Sequence, residues 1–301
     1  MSTESSNQNR PKNQHWVPQF YLRYFATPDT RDTKLPKVWR LDALSETSDT
    51  ALMAVENVCG KRYLYSPVDP EGNRDWSVES WLDRIETASG DFWPHLTTEM
   101  FDLSSPEMRE GLSKLLAIMH LRNFSYSKLI SHSFALRDKL YGKPTEESLK
   151  DRPAEWPDPT DAGRFFVQSL QRDVSRVAEL FAAKRWVVFY GDEDLLLTSD
   201  RPVTFVHGGV KNASLATPGA MGIFPLSPNR VLCMTGPELS EKDNVFIPLT
   251  PEFARSFNIS VSTQCIRFVI SKKPFDDFLD DEDFARGLDL NRRERAVDAT
   301  E

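Results

Sequence analysis

The sequence predicts an α+β fold, in which a helical middle region packs on a mostly antiparallel sheet in the C-terminal half. Apolar residues recur at helical spacing between residues 76 and 184. From residue 185 onward, short runs of β-branched and aromatic residues are separated by turn residues. Because helices and strands are grouped and do not alternate, the pattern argues against a doubly wound α/β sheet.

The N-terminal part combines short strands with turns. Residues 38–41 alternate apolar and polar side chains, which predicts a half-buried strand, and residues 63–65 are a second candidate. Proline, aspartate and glycine predict a loop over residues 67–73. A helix follows from residue 76, because Trp81 and Ile85 fall on one apolar face.

Two further helices have clear boundaries. Ser105 is a capping residue and Pro106 suits the first helical position, so a helix begins there. Another helix covers about residues 162–184, after a proline-rich loop over 153–159. Between them the pattern is weaker and predicts a helix that ends near residue 140.

The C-terminal half is predicted to be mainly strands. Residues 185–190 and 195–198 form a hairpin around a turn. A final helix starts at Pro251 and keeps helical spacing as far as Phe268. The remaining strand candidates are residues 203–207, 222–226, 230–234 and 245–249.

Composition is typical of a soluble globular protein, with 40% hydrophobic and 27% charged residues among 301. No stretch approaches the ~20 apolar residues of a membrane helix, and the first ten residues lack an apolar signal-peptide core. Three cysteines without a CxxC spacing predict neither a disulfide framework nor a thiolate zinc site. We therefore expect a cytoplasmic protein without a membrane partner, and the net charge of −8 does not indicate nucleic-acid binding.

Three regions are expected along the chain. Residues 1–12 form a disordered N-terminus, residues 13–273 a single α+β domain, and residues 274–301 an acidic, partly disordered tail. The acidic run Asp280–Asp283 is the basis for the tail, since clustered like charges favour solvation.

The block from Asn13 to Phe25 is unusually rich in aromatic and hydrogen-bonding side chains for an N-terminal segment. His15 titrates near neutral pH, so it can act as a general acid, a general base or a metal ligand. Asn13 and Gln14 could orient a substrate or the imidazole itself. The alternative is a structural histidine that binds a backbone carbonyl. Pro18 prevents a continuous helix, so a short helix is expected to begin after it.

Arg122 continues the apolar stripe of its helix, and a guanidinium drawn toward a core needs a carboxylate or a bound anion. It is therefore either a structural partner of a carboxylate or a clamp for an anionic substrate. His120 lies two residues before it. Glu79, Asp83 and Glu86 share one helix face, which is either solvated or directed at a cation; Glu86 follows a core residue and is placed nearest a site.

Ser199 and Asp200 follow a predicted strand, where functional side chains are often presented. Asp200 could be the carboxylate partner of Arg122 or His15. The alternative is a local turn, in which the aspartate accepts hydrogen bonds from backbone N–H groups before Pro202.

The block 14–25 follows the pattern QHxVPxFYLxxF. Five further pieces follow in order. An acidic helix contains Glu86, an arginine-bearing helix contains Arg122, and residues 199–203 form an S-D-x-P-V turn. Residues 225–228 form a P-L-S-P segment, and a late helix contains Asn258. In this arrangement the chain resembles the uncharacterised bacterial family known as domain of unknown function 4238, over roughly residues 13–273. The resemblance implies no agreed mechanism, cofactor or substrate.

Three positions depart from the family pattern. Trp16 stands where tyrosine is frequent, His120 where glutamine is expected, and Arg201 where asparagine is common. If the usual residues bind a substrate, its specificity differs in this chain.

Two functional hypotheses follow. The first is a hydrolase-like enzyme, of which a nuclease is one form, for a phosphate-bearing or other anionic substrate. His15, Asp200 and Glu86 would be catalytic, with Asp200 orienting His15 or binding a metal. The substrate-binding residues would be Arg122, Asn13, Gln14, Ser199 and His120. A divalent metal is compatible with these side chains, but the sequence identifies no cofactor.

The second hypothesis is a non-catalytic binding or interaction module, in which the same residues form a buried structural network. A concave, accessible pocket with unsatisfied polar groups would favour the enzyme. A closed and fully paired network would favour the module. The oligomeric state is left open by the sequence.

Overall fold

The computed structural model describes residues 12–69, 71–153, 156–208, 213–237 and 242–298, apart from the side chains of residues 146 and 296–298. Its strands are β1 (Asn13–His15), β2 (Lys37–Asp42), β3 (Thr50–Ala54), β4 (Gly60–Arg62), β5 (Arg185–Tyr190), β6 (Thr198–Ser199), β7 (Thr204–Val206), β8 (Met221–Ser227), β9 (Arg230–Thr235), β10 (Val245–Pro248) and β11 (Phe268–Ser271). Its α-helices are α1 (Gln19–Leu22), α2 (Ser77–Thr98), α3 (Pro106–Leu121), α4 (Phe124–Tyr141), α5 (Glu146–Leu149), α6 (Ala162–Ala182), α7 (Pro251–Gln264), α8 (Asp276–Leu279) and α9 (Glu282–Asp298). The expected α+β class is confirmed.

The larger sheet has five strands in the order β10-β5-β9-β8-β7. All neighbours are antiparallel except β10 and β5, which run parallel. The predicted hairpin of residues 185–190 with 195–198 is wrong. β5 pairs with β9 and β10, whereas Thr198 and Ser199 join a different sheet as β6.

A second sheet of four antiparallel strands has the order β3-β2-β11-β6. β11 was not expected, because helical spacing continues in the sequence as far as Phe268. The helix α7 ends earlier, at Gln264, where Cys265 adopts an extended backbone with φ −59° and ψ 152°. The chain then enters β11 between β2 and β6.

The main hydrophobic core lies between the five-stranded sheet and the helices α2, α3 and α6. Alternate residues of the central strands supply it, for example Trp186 and Val188 of β5 and Leu232 of β9. The amphipathic helix α6 contributes Phe166, Leu170, Val174, Val177 and Phe181. These five residues are three or four positions apart, which places them on one face of the helix.

The opposite face of the same sheet is covered in part by α7. Phe189 of β5 contacts Phe253 and Phe257, with ring centroids 4.3 and 6.2 Å apart. This smaller core also contains Ile223, Val231 and other residues whose side chains alternate with those of the main core.

The acidic C-terminal segment, which was expected to be a partly disordered tail, contains two helices within residues 276–298. These are α8 and α9, and the side chains of Phe284 and Leu288 are buried against Val261 and Cys265. The acidic residues lie between these apolar ones, which is why charge alone suggested solvation. The prediction of a disordered N-terminus falls on residues 1–12, of which only residue 12 lies in the described ranges. Residues 299–301 also lie outside those ranges. Among the described helices, none combines the length and apolar character that crossing a membrane would require.

Candidate functional site

The N-terminal block is built into the protein through β1, which pairs antiparallel with β4. The backbone N–H of Trp16 then donates to the carbonyl of Cys59 over 2.9 Å. Pro18 precedes α1, and the chain continues into a 3₁₀ turn over Arg23–Phe25. Tyr21 and Phe25 are fully buried, as expected for a short helix packed by its aromatic residues.

Gln14 and Asn13 both bind to protein groups near the block. Gln14 is 1% exposed; its Nε2 donates to Ser66 Oγ over 2.6 Å, and its Oε1 accepts from the backbone N–H of Tyr65 over 2.6 Å. Asn13 Nδ2 donates to the carbonyl of Glu56 over 3.0 Å. The two amides thus connect the block to the segments that flank β4.

Both ring nitrogens of His15 have partners. Nε2 lies 3.0 Å from the carbonyl oxygen of Glu56, and Nδ1 lies 3.2 Å from Nε2 of Gln19. Since a carbonyl only accepts, Nε2 carries the proton and a neutral ring accepts from Gln19 through Nδ1. Burial lowers the pKa of His15, and the nearby charge of Arg122 lowers it further, against the opposing hydrogen bond to Glu56. The imidazole is therefore held neutral, in one tautomer.

Arg122 is buried at the C-terminal end of α3, with its side chain 2% exposed. Its Nη1 donates to Glu86 Oε1 and its Nη2 donates to the backbone carbonyl of His15. The guanidinium carbon also lies 5.4 Å from the centre of the Tyr65 ring, and the Tyr65 hydroxyl donates to the Arg122 carbonyl over 3.2 Å. Arg122 therefore joins α2, α3, the N-terminal block and the segment after β4.

Electrostatics keep this arginine charged despite its burial. Desolvation lowers the pKa of Arg122, but the charge of Glu86 and the electrostatic effect of the Tyr65 hydroxyl raise the pKa by more, so the net shift is upward. Arg122 Nε is buried without a hydrogen-bond partner among the described residues. The predicted inward position of Arg122 and its pairing with a carboxylate are both found.

Glu79 lies two turns of α2 before Glu86 and is half-buried. Burial raises the pKa of Glu79 to about 7; the charges of Glu86 and Asp83 raise it as well, while Arg122 opposes them. The acidic face of α2 is therefore not uniformly solvated. Sequence reasoning placed Glu86 nearest a site but did not single out Glu79, although its spacing of seven residues from Glu86 puts both on the Arg122 side.

Asp200 is 1% exposed, and its carboxylate accepts three backbone hydrogen bonds. Oδ1 accepts from Ile266 N over 2.8 Å, and Oδ2 accepts from Arg267 N and Phe268 N over 2.8 and 3.1 Å. Burial raises the pKa of Asp200 to about 6, although these three bonds oppose the shift. The carboxylate thus fixes the loop between α7 and β11; its hydrogen bonds go to that loop, and not to Arg122 or His15.

Ser199 and His120 lie apart from the Arg122 side chain. Ser199 Oγ donates to the carbonyl of Arg201 over 3.0 Å and accepts from its N–H over 3.1 Å, which makes a local turn. The His120 ring packs edge-on against Phe205 and Phe181 at 5.4 and 6.1 Å. Burial lowers the pKa of His120 to about 4, with a further contribution from the charge of Arg201.

Buried hydrogen bonds also join Tyr21 of the N-terminal block to β6 and β8, and Asn258 of α7 to the segment before β6. The Tyr21 hydroxyl lies 2.7 Å from Thr198 Oγ1 and donates to the Pro225 carbonyl over 2.9 Å. Asn258 Oδ1 accepts from Leu197 N over 2.9 Å, and its Nδ2 donates to the Leu195 carbonyl over 2.8 Å. The role of Tyr21 was not anticipated; a buried tyrosine needs a partner for its hydroxyl, and that rule is the signal that could have found it.

The described residues contain no group of three or more histidine, cysteine, aspartate or glutamate side chains arranged to hold a metal ion. The candidate site therefore consists of two parts. Around Arg122 lie His15, Tyr65, Glu79 and Glu86. Around Asp200 lie the backbone groups of residues 266–268 and the indole of Trp16, whose Nε1 donates to the Asp200 carbonyl over 3.1 Å.

Comparison with known protein families gives one match. The family described as "Protein of unknown function (DUF4238)" matches residues 13–275, and the chain belongs to this family. Neither the curated proteins nor the solved structures gave a match.

Proposed function

We propose that this DUF4238 member is a non-catalytic binding or interaction module, in which hydrogen bonds among His15, Glu86 and Arg122, and separately those of Asp200, fix the N-terminal block. One observation carries the proposal: both terminal nitrogens of the Arg122 guanidinium donate to protein groups, and the side chain is 2% exposed. A clamp for an anionic substrate needs N–H groups that a substrate can reach.

The environment of Asp200 supports the same proposal. A carboxylate that orients a catalytic histidine, or that binds a metal, must direct an oxygen at that partner. Both oxygens of Asp200 instead accept from backbone N–H groups of the loop before β11. His15 is likewise engaged at both ring nitrogens. Buried polar networks whose members are paired specify one packing arrangement, and in this one Arg122 Nε is the atom without a partner among the described residues.

Replacement of His15 tests the proposal. We expect His15→Ala to lower the free energy of unfolding by about 1–2 kcal/mol, because it removes two hydrogen bonds at the base of the block. His132→Ala, at an exposed position of α4, is the matched control and should change stability by less than about 0.5 kcal/mol. Urea denaturation measures both.

A hydrolysis assay tests the non-catalytic part. The wild type, His15→Ala and Glu86→Gln are incubated with p-nitrophenyl phosphate and bis-p-nitrophenyl phosphate, with and without Mg²⁺ or Mn²⁺. We expect the three folded proteins to give the same background rate. A wild-type rate that falls by ~100-fold in a variant with an unchanged circular dichroism spectrum would overturn the proposal.

One observation favours a second candidate, a hydrolase-like enzyme for an anionic substrate. Glu79 has its pKa raised to about 7 and lies in the field of Glu86 and Arg122, and a carboxyl group that titrates near neutral pH is suited to general acid–base catalysis. In this case Glu79→Gln would abolish a hydrolysis that the wild type performs, with a pH profile centred near the pKa of Glu79.

For the cellular setting we propose a bacterial cytoplasmic protein whose ligand is a small molecule. The three cysteines are buried free thiols, in keeping with a reducing compartment. The acidic net charge of −8 gives no support to nucleic acid as the partner.

A further inference from the structure

A cavity of about 860 Å³ lies on the face of the five-stranded sheet that is turned away from α2, α3 and α6. It exists because α7 covers only part of this face, with Phe253 of α7 forming one wall. The volume is within the range of small-molecule sites. Most of the described lining is apolar and comes from alternate strand positions, including Val187, Phe189, Met221, Cys233 and Ile247.

Two polar side chains in this apolar lining hold atoms without a partner. Thr235, at the end of β9, is 7% exposed, and its Oγ1 makes no hydrogen bond with any described residue. Nδ1 of His207, just after β7, is also buried without a partner in the described part of the chain. Buried polar atoms normally find hydrogen bonds, so ligand oxygens that pair with these two atoms would satisfy them.

The His207 ring is held at the cavity by its contact with Gly219. Gly219 has a φ of +71°, and a Cβ atom there would lie 3.3 Å from Nε2 of the imidazole. The glycine therefore serves both the turn and the close approach of the ring. This contact places the imidazole among the same lining residues as Thr235.

The chemistry of the lining favours an acidic head group. A hydroxyl and an imidazole N–H can both donate to a carboxylate oxygen. The described lining contains no aspartate or glutamate that could pair with a cationic head group.

We propose that this cavity binds an aliphatic carboxylate, with the chain against the apolar strand residues and the carboxylate at Thr235 and His207. The inference deepens the proposed binding function and rests on it in assigning the protein a ligand. The site is built from β5, β7–β10 and α7, and shares no residue with the Arg122 network.

Isothermal titration calorimetry with decanoate tests the proposal, with decanol and decylamine as ligands of the same chain length. We expect saturable 1:1 binding of decanoate, about 10-fold tighter than decanol and tighter still than decylamine, since an ionised carboxylate forms stronger, charge-assisted bonds to the two donors than a hydroxyl does, and an ammonium accepts none. Absence of saturable binding would overturn the proposal. Equal or tighter binding of decylamine would overturn the assignment of the head group.

Two variants locate the site. Met221→Trp fills the cavity and should weaken decanoate binding at least ~10-fold, whereas Leu129→Trp, at an exposed position of α4, should not. Thr235→Val removes a hydroxyl that has no described partner, so it should leave the thermal midpoint unchanged or higher and weaken decanoate binding about 3- to 10-fold. Unchanged affinity in both cavity variants would place the ligand elsewhere and contradict the proposal.

The variant Glu86→Gln distinguishes a failure of the cavity site from a failure of the proposed non-catalytic role. It should leave decanoate affinity unchanged, because Glu86 does not line the cavity. Hydrolysis that depends on Glu86, together with decanoate binding that depends on Thr235, would refute the non-catalytic role and retain the cavity site. Absence of decanoate binding without any hydrolysis would refute only the cavity site.

Discussion

The indole Nε1 of Trp16 donates to the backbone carbonyl of Asp200 over 3.1 Å, although the two residues are 184 positions apart. The same indole stacks on Phe124 with ring centroids 5.0 Å apart. The Asp200 carboxylate meanwhile holds the backbone of Ile266, Arg267 and Phe268. Asp200 thus links the N-terminal block, the turn after β6 and the entry into β11.

Asp200→Asn should destabilise the protein, because an amide has one acceptor oxygen and directs an NH₂ group at backbone donors. We expect the free energy of unfolding to fall by about 2–4 kcal/mol, since charge-assisted bonds to buried N–H groups are lost. Asp192→Asn, at an exposed turn position, is the control and should change it by less than about 0.5 kcal/mol. Urea denaturation with equal midpoints for the two variants would contradict this role of Asp200.

Arg122→Met should cost about 3–5 kcal/mol of stability, because it leaves Glu86 without its cation and the His15 carbonyl without its donor in a buried place. Arg172→Met is a suitable control. Arg172 pairs with Asp173 over 3.0 Å on α6 but is 46% exposed, so its loss should cost less than about 1 kcal/mol. Chemical denaturation compares the two, and an Arg122 cost no greater than that of Arg172 would show that the network contributes little.

Features with local causes could be predicted from the sequence. Ser105 caps α3 by accepting from Met108 N over 3.3 Å, and Pro106 follows it as the first helical residue. The apolar stripe of α3 correctly carried Arg122 into the core. Each of these depends on residues within a few turns of one another, which spacing and capping preferences record.

Features with distant causes could not be predicted. Residues 265–268 continue the helical spacing of α7, but Asp200, far away in sequence, accepts from the N–H groups of residues 266–268 and stabilises an extended course into β11. The expected hairpin failed for a similar reason: Asn258 binds the backbone of Leu195 and Leu197, and Thr198 pairs with Ile270. Local propensity is overridden where a buried side chain supplies the hydrogen bonds.

Three of the residues named from the sequence lie together in the structure, but the contacts between them were not predicted. His15, Glu86 and Arg122 come together, and the backbone of His15, not its imidazole, is what Arg122 binds. A sequence records which side chains can carry chemistry, whereas a main-chain carbonyl is present at every residue and leaves no signal. For the same reason the three backbone partners of Asp200 could not be foreseen.

Tyr21→Phe should lower the free energy of unfolding by about 1–2 kcal/mol. The variant keeps the stacked contact with Phe224 but leaves Thr198 Oγ1 and the Pro225 carbonyl without the hydroxyl partner. Tyr141→Phe, where the tyrosine is 83% exposed, should have no measurable effect. A thermal midpoint for Tyr21→Phe equal to that of Tyr141→Phe would mean that the buried hydroxyl does not stabilise the block.

Stability should depend on pH through Glu79, whose pKa is raised to about 7 in the folded protein from an ordinary value of 4.5. The folded state holds the proton more tightly, so the contribution is fully present below about pH 4.5 and is lost as the pH rises through 7. Between pH 5 and 8 we expect a loss on the order of 1–2 kcal/mol, reduced by solvent screening of this half-buried group.

Glu79→Gln isolates this effect, because Asp200 also has a raised pKa and gives a slope of the same sign. The variant should flatten the curve of unfolding free energy against pH, whereas Glu110→Gln, at an exposed position of α3, should keep the wild-type slope. Denaturation at pH 5, 6, 7 and 8 provides the curve. Parallel curves for the wild type and Glu79→Gln would exclude Glu79 as the titrating group.

Gly287→Ala should show that the acidic C-terminal segment is packed. Gly287 is buried in α9, and a Cβ atom there would overlap Ser262 Oγ of α7, so we expect a cost of about 1–3 kcal/mol. Gly90→Ala, inside α2, is the matched control; its Cβ would have no neighbour closer than 3.9 Å, and alanine favours a helix, so stability should stay equal or rise.

In the background Ser262→Gly, the cost of Gly287→Ala should fall by about 1 kcal/mol or more, because the overlapping side chain is gone. A double-mutant cycle by urea denaturation measures this coupling, and a cost that is independent of residue 262 would mean that α9 does not lie against α7 at this point.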